Sequence, residues 1–379
     1  MRHKLSGLRQ AGAAVCVCLI VAGVMAGCAP NMPGNSAHAS ATATYPAPYA
    51  QSAKLGASLA TLDQVGGPIV GTMKVGSNSR PLTGLVSIKG GATEIRMLVG
   101  DPTTFISDEI VVGGHRYTSP DDNVWIDRGA KPASSSLAKT LAAADTTVDS
   151  GIDTVTGISA HKIVTPADVV DVAPALGIDT WTFDQETTTL RIWADDAGKP
   201  IGFGASMGWT VTLGGQTQAV TIDFDVMFAA EAPLEILAPA KAWQWIQDKP
   251  AGIAFGVPST WKPSDINSSM GVTSYVDPAK GYLVTYVQQS AGDKSLTDVT
   301  KSLVDSMADT PGGTQSIVVG SEDASLLSVH RTKQNDYESV ALVVHETVEF
   351  EVLVVGAPAD VAGTDAIFSQ ILATVEFTR

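Results

Sequence analysis

The feature that most constrains the fold is a pair of neighbouring runs in which every second residue is apolar. In residues 201–211 the odd positions are apolar and the even ones are Gly, Ser or Thr, while in residues 220–228 the even positions are apolar. This period of two predicts β-strands with one buried face, and Gly214-Gly215 between them favours a hairpin. Because the sheet must bury its apolar face, we expect it to curl around a few helices as a half-open antiparallel barrel.

The first 28 residues are typical of a bacterial lipoprotein leader. Arg2, Lys4 and Arg9 form a basic head, and the uncharged residues 11–26 are fewer than the ~20 that a membrane-spanning helix needs. Small residues at 26 and 27 precede Cys28, although Met25 stands where such a motif most often has Leu. We therefore predict a signal peptide at 1–27 and a lipid on Cys28, which would place the protein on the extracytoplasmic face of a cell membrane. The alternative is an ordinary signal peptide in which Cys28 is incidental.

Charge and cysteine content exclude several classes of function. The formal net charge is −15, and the leader contributes only basic residues, so the remainder is still more acidic. This sign disfavours nucleic acid as a partner and broad electrostatic adhesion to anionic lipids. The three cysteines are Cys16, Cys18 and Cys28, so the part after residue 28 has no disulfide, cysteine nucleophile or thiolate ligand.

Chain length and local composition predict a tether and two domains. Residues 28–49 are the candidate lipidated Cys and an uncharged, Ala-, Ser-, Thr- and Pro-rich spacer. The rest is long enough for two cores at ~150 residues each, and we place the domains at 50–240 and 241–379. We take the short connection that carries Trp243 and Trp245 as the junction between them.

The first domain is predicted to be a helix followed by a β-meander. Apolar residues at 55, 59, 62 and 65 predict a helix that ends at Gly66-Gly67-Pro68. Strands follow, one of them at 153–163, and two short helices, 134–144 and 166–176, interrupt the series before a strand at 180–183.

The second domain mixes strands with two helices. Ser295 and Asp298 have the spacing of a capping box, followed by an apolar stripe at 296, 299, 303 and 307. A last amphipathic segment contains Ile367, Phe368, Ile371 and Leu372. The overall class is therefore α+β.

Two resemblances to known families arise from these segments. The leader, GGHRYTSPDDNVWIDRG at 113–129, DTVTGISAHKI at 153–163 and TLRIWADDAGKPIGF at 189–203 resemble the LolA-like fold of the actinobacterial LppX/LprG lipid-binding lipoproteins. IAFGVPSTW at 253–261, GSED at 320–323 and ILATVEF at 371–377 resemble the PsbP-like αβα sandwich. The first resemblance implies an apolar cavity that shelters acyl chains, whereas the second implies an architecture and no particular chemistry.

The candidate catalytic and metal-binding residues lack the sequence context that such sites need. Ser206 lies in a G-x-S-x-G sequence at 204–208, but continuous alternation puts it inside a strand, whereas a nucleophile elbow needs a strand–turn–helix context. His38, His115, His161, His330 and His345 lack metal-ligand spacing. Pairing His330 with Ser339 and His345 with Ala324 would hold those two ~20 Å apart.

Three pairs of carboxylates are the remaining candidates for catalytic or metal-binding groups. They occur at Asp121-Asp122 and Asp195-Asp196, which fall in predicted turns, and at Asp223/Asp225 on the predicted solvent-facing side of a strand. A Ca²⁺ ion at one of the Asp turns stays an open alternative. We expect no catalysis, no resident metal and no cofactor.

The leading functional hypothesis is a membrane-anchored, non-catalytic lipoprotein that binds lipid or lipidated molecules in its first domain. The candidate ligand-binding residues are Ile201, Phe203, Met207, Trp209, Val220, Ile222 and Phe224. The partners expected are a lipid or glycolipid ligand, the membrane through the acyl anchor, and other envelope proteins. The alternative is a fully packed two-domain scaffold or sensor that makes protein–protein contacts.

Overall fold

A computed structural model describes ten stretches of the chain. They are residues 48–100, 107–121, 124–130, 137–155, 157–166, 187–213, 216–229, 235–265, 274–320 and 322–377. The predicted signal peptide, Cys28, most of the spacer, the 180–183 strand and the Gly214-Gly215 turn lie outside them. The same holds for residues 167–176, whereas Pro166, the first residue of the predicted helix, is the last residue of a strand.

Strands predominate over helices in the described residues. The half-open barrel that the sequence led us to expect stays a prediction. The helices are α1 (Ser52–Ala60), α2 (Leu137–Ala142), α3 (Leu296–Ser306) and α4 (Val361–Leu372). The strands are β1 (Val65–Val75), β2 (Asn78–Lys89), β3 (Ala92–Val99), β4 (Ser107–Val112), β5 (His115–Asp121), β6 (Val124–Ala130), β7 (Asp149–Val155), β8 (Ile158–Pro166), β9 (Thr187–Ala194), β10 (Pro200–Leu213), β11 (Gln216–Met227), β12 (Ala242–Asp248), β13 (Ile253–Val257), β14 (Lys262–Ser264), β15 (Ser274–Val276), β16 (Leu283–Ser290), β17 (Thr314–Val319), β18 (Glu322–Arg331), β19 (Asp336–His345), β20 (Val348–Gly356) and β21 (Glu376–Phe377).

The chain forms two compact units, and each is discontinuous in sequence. The first unit takes its described residues from 48–95 and 137–235, and the second takes them from 96–130 and 236–377. The domain limits expected from the sequence, 50–240 and 241–379, stay a prediction.

In the first unit, antiparallel strands follow the order β2-β1-β11-β10-β9-β8-β7. Helix α1 ends at Ala60, so the prediction that it continues to Val65 was wrong. Gly66-Gly67-Pro68 belongs to β1 and does not end a helix. The physical reason is close strand packing, because a Cβ at Gly67 would overlap the carbonyl oxygen of Met227.

The predicted single strand at 153–163 is a hairpin. Strands β7 and β8 pair antiparallel on either side of a turn in which Gly157 has φ +82°. Because an L-side chain rarely adopts that φ, the glycine in the middle of this stretch marks the reversal.

The second unit contains two sets of strands. One has the order β21-β13-β12-β6-β5-β4, and the other has the order β14-β15-β16-β20-β19-β18-β17. The segment with Trp243 and Trp245, expected to be a connection, is strand β12. It pairs in parallel with β6 through Ala242–Gln244 and Trp125–Asp127.

One arginine reinforces the contact between β6, β12 and β21 within the second unit. The Nη2 of Arg128 lies 2.7 Å from Glu376 Oε1, and its guanidinium carbon lies 3.7 Å from the centroid of the Trp245 ring. Because Arg128 is largely buried, this combination of ion pair and cation–π contact is stronger than an exposed pair.

Helices α3 and α4 pack on opposite faces of the seven-stranded sheet. Thr300 of α3 donates to Ser325, which pairs with Leu342 on β19. Asp365 of α4 accepts from Tyr337 and Ser339, which alternate with Leu342 along that strand. This is the helix–sheet–helix layering implied for the second domain, and the predicted Ser295–Asp298 capping box is present.

The register of β18 and β19 differs from the predicted one. His330 pairs with Tyr337 instead of Ser339, because Arg331 and Asp336 close the hairpin and Asn335 adopts φ +56° in a shorter turn. His345 is the last residue of β19 and contacts Glu322, two residues before the expected partner Ala324.

Three glutamates lie on the α3 side of the seven-stranded sheet, namely Glu338, Glu349 and Glu351. Burial raises the pKa of Glu351, and the nearby Glu349 and Glu338 raise it further. Burial also raises the pKa of Glu338, although Arg331 opposes that change. Carboxylates here are therefore costly at neutral pH.

Replacing Glu351 by Gln should raise the free energy of unfolding at neutral pH. The pKa of Glu351 is higher in the folded than in the unfolded chain, so stability falls as pH rises through the usual value of 4.5 towards the folded value. The gain should shrink well below that usual value, where both states are protonated. Urea denaturation at neutral pH and at a pH well below 4.5 measures the change in the free energy of unfolding. Glu235→Gln, at an exposed position, is the control. A gain that did not depend on pH would contradict the electrostatic cause.

Candidate functional site

The seven candidate ligand-binding residues lie together on one face of β10 and β11. The strands pair so that Phe203 faces Val226, Met207 faces Ile222 and Trp209 faces Val220. Trp209 is 9% exposed and Ile201 is half-buried, whereas the other five are at most 3% exposed. We call this side of the first-unit sheet the inner face.

The inner face continues beyond the residues that the sequence singled out. Ile69 and Met73 of β1 pair with Val226 and Ile222, and Leu190 of β9 pairs with Ala205. These residues are buried as well. Ile69 and Met73 could have been found from the same alternation in residues 69–75.

Aromatic contacts and two helices accompany this face. The Phe203 ring lies 6.1 Å from Phe224 in an edge-on arrangement and 6.0 Å from Phe228. Helix α1 contacts β10 and α2. Its leucines at 55 and 59, and those of α2 at 137 and 141, are buried. The inner face is thus an apolar side of the sheet, and α1 contacts one of its strands.

The opposite side of the same strands, the outer face, is organised by Arg191 of β9. Its guanidinium lies 2.7 Å from Asp223 Oδ1 and 2.8 Å from Asp225 Oδ1. It also donates to the Ser206 hydroxyl and to the carbonyl oxygen of Phe224. Because only 13% of the Arg191 side chain is exposed, these bonds replace the water that a buried cation loses.

The glycines on the outer side of β10 make room for this network. A Cβ at Gly204 would overlap Asp225 Oδ1, and it would lie 2.6 Å from the carbonyl oxygen of Phe224 and 3.0 Å from Arg191 Nη2. The group that packs closely against Gly204 is the side chain of Arg191 with its carboxylate partner.

Gly204→Ala should therefore destabilise the protein by roughly 1–3 kcal/mol, because the added methyl group must displace the backbone or the ion pair. Chemical denaturation measures the change. The matched control is Gly56→Ala in α1, where the nearest atom, Thr146 Oγ1, is 3.7 Å from the new Cβ. That helical substitution should stabilise by about 0.5–1 kcal/mol, and equal effects of the two changes would refute the packing argument.

Two described pockets open on other surfaces, although Met207, Ile222 and Phe224 of the candidate set also border the first of them. One is a half-open groove of about 520 Å³ on the outer face, bordered by Thr72, Ser206, Thr221 and Asp223. The other, about 540 Å³, lies in the second unit and is bordered by Gly312, His330 and Tyr337. A space for acyl chains along the inner face therefore stays a prediction.

Ser206 does not have the surroundings of a hydrolytic nucleophile. It lies in the middle of β10, where it donates to Asp223 and accepts from Arg191. A nucleophilic serine needs a general base such as histidine within hydrogen-bond reach, and the bonds described for Ser206 go to an acid and a cation instead.

Three of the described histidines contact carboxylates, and Asp195 binds backbone N–H groups. His115, His161 and His345 contact Asp127, Asp149 and Glu322 respectively. Asp195 accepts from the backbone N–H groups of residues 197 and 199, which confirms the predicted turn-capping role. Within the described ranges, no three His, Cys, Asp or Glu side chains are grouped as a metal site would need, and no helix is long and apolar enough to cross a membrane.

The chain thus combines a one-sided antiparallel sheet in one unit with a helix–sheet–helix arrangement in the other. No protein-family model matches the chain. No curated protein sequence matches it either.

Similar solved structures include LprF from Mycobacterium bovis, at 13% identity and TM-score 0.31, over 51% of this chain and 99% of that one. The Mycobacterium tuberculosis lipoprotein LppX has 12% identity and TM-score 0.25, over 46% and 91%. Cyanobacterial PsbP from Synechocystis has 14% identity and TM-score 0.30, over 38% and 98%. Both groups named from the sequence are thus represented among the similar structures.

Proposed function

We propose that the protein is a lipid-anchored, non-catalytic lipoprotein of the extracytoplasmic membrane face that binds lipid or lipidated molecules in its first domain. The observation that carries this proposal is the inner face, on which the candidate residues form one continuous apolar surface across β10 and β11. In this proposal the sheet curls as a half-open barrel around the helices, and acyl chains lie between the two layers.

Burial of hydrocarbon would supply the affinity. Each methylene removed from water contributes ~0.8 kcal/mol, so a long chain needs little polar recognition to bind. The spacer at 28–49 would connect the domain to the membrane, and its uncharged composition suits a flexible tether. The second domain would mediate contact with other envelope proteins.

Native mass spectrometry and uptake of a fluorescent fatty acid test the ligand. We expect lipid to co-purify with the protein and the probe to bind. Ala205→Trp, which adds a ring to a fully buried inner-face position beside Phe224 and Leu190, should weaken uptake more than tenfold. Displacing two methylenes from the face would cost ~1.6 kcal/mol.

Thr221→Trp is the matched control, because Thr221 is exposed on the outer face of β11. It should leave uptake unchanged, and circular dichroism should verify the fold of both variants. The proposal would be contradicted if the unaltered protein contained no co-purified lipid and did not bind the fluorescent fatty acid. Equal uptake by the two variants would also contradict it.

The anchor has an independent test. The full-length protein made in bacteria should enter the detergent phase in a phase-partition assay and incorporate labelled fatty acid. Cys28→Ala should abolish labelling and shift the protein to the aqueous phase, because the thiol is the only proposed acylation point. Undiminished labelling of Cys28→Ala would contradict lipidation at this residue.

The alternative function, a protein-interaction module, is favoured by strand β17. This strand ends the order of the seven-stranded sheet, and its sequence, TQSIVV, has no charge. Its residue Val318 is 63% exposed. An uncharged edge strand can pair with an extended segment of another protein.

A further inference from the structure

A single charged side chain interrupts the inner face. Arg80 of β2 pairs with Met73 of β1, which pairs with Ile222 of β11, and Ile222 pairs with the candidate residue Met207. Residues directly opposite one another in antiparallel strands share a face of the sheet. Arg80 therefore lies on the same side as the candidate ligand-binding residues.

The other charged residues of these strands lie on the outer face. Lys74, Lys89, Arg191, Asp223 and Asp225 all alternate with inner positions in the register. Among the described inner positions of β1, β2, β9, β10 and β11, Arg80 is the one charged residue. A cation on an apolar face costs free energy, so its retention there calls for a compensating partner.

The protein itself does not supply that partner within the described residues. Arg80 is half-buried, and its Nε is buried without a hydrogen-bond acceptor. Thr188 of β9 pairs with Met207, so it lies on the inner face at the same level. Thr188 is only 8% exposed, and its hydroxyl likewise has no partner. Two polar groups thus stand unpaired on a face that carries mostly apolar side chains.

We infer that Arg80 binds the anionic head group of the ligand, a carboxylate or a phosphate, while the hydrocarbon chain lies along the inner face. This inference deepens the proposed lipid-binding function and rests on it. The planar guanidinium forms paired hydrogen bonds with carboxylate or phosphate oxygens, which makes arginine suited to such head groups.

The position of Arg80 along the sheet fits a head group near an opening. Two residue pairs separate it from the turn at Gly76, and its partial exposure leaves a path to solvent. From the level of Arg80 and Met73 to that of Ile69, Val226 and Phe203 the face runs four residues. At ~3.3 Å per residue this is ~13 Å of apolar surface for the chain.

The test compares three lipids with the same oleoyl chain, namely oleate, oleoyl lysophosphatidate and neutral monoolein. Their affinities are measured by competition with a fluorescent monoacylglycerol at low ionic strength. We expect the unaltered protein to bind one or both anionic lipids at least tenfold more tightly than monoolein. Arg80→Gln should remove this preference by lowering the affinity for the anionic lipids to about that for monoolein, and Arg80→Lys should restore part of it. Preference for oleate or for lysophosphatidate identifies the head group as carboxylate or phosphate.

The matched control is Lys89→Gln, which removes one positive charge from the outer face of the same strand. It should keep the preference for anionic lipids. Equal affinity of the unaltered protein for all three lipids, or an unchanged preference in Arg80→Gln, would overturn the inference while monoolein binding upheld the proposed function. If no lipid bound, monoolein included, the proposed function would fail together with the inference.

Discussion

Removal of the inner face from water is the constraint on which the first unit depends. Strands β10 and β11 present aromatic and aliphatic side chains on one side only, so an isolated sheet would expose them all. Pairing with β1 and β9 extends the apolar layer, and these side chains are buried. Helix α1 contacts β10 and also packs with α2. The same surface is the proposed ligand site, because a layer that excludes water from its own side chains also suits hydrocarbon.

The outer face shows how the sheet tolerates close strands and buried charge. Arg191 lies over the glycine at 204 and is held by Asp223, Asp225 and Ser206. The contrast with Arg80 is instructive, because both are cations of the same sheet. Arg191 has its carboxylates within the protein, whereas Arg80 has none among the described residues. The charge of Arg191 is satisfied inside the fold, whereas the unpaired Nε of Arg80 is the observation behind the proposed head-group contact.

The second unit is organised by contacts between segments that are far apart in the chain. Strand β6 pairs in parallel with β12, and Arg128 of β6 contacts Trp245 of β12 and Glu376 of β21. The pairing of β6 with β12 has no local sequence signal, since parallel strands are joined by long connections and not by a turn. This explains why the segment containing Trp243 and Trp245 was expected to be a connection and is a strand instead.

The sequence by itself determined the elements that local periodicity and capping encode. It predicted the one-sided strands of 201–211 and 220–228, the capping box at Ser295 and the aspartate turn at 195, because each depends on residues a few positions apart. Tertiary structure alone decided the end of α1, the hairpin register around Asn335, and the placement of Arg80 and Arg191 on opposite faces. Those features depend on which strands become neighbours, and that choice is made by close approach of backbones and burial of side chains distant in sequence.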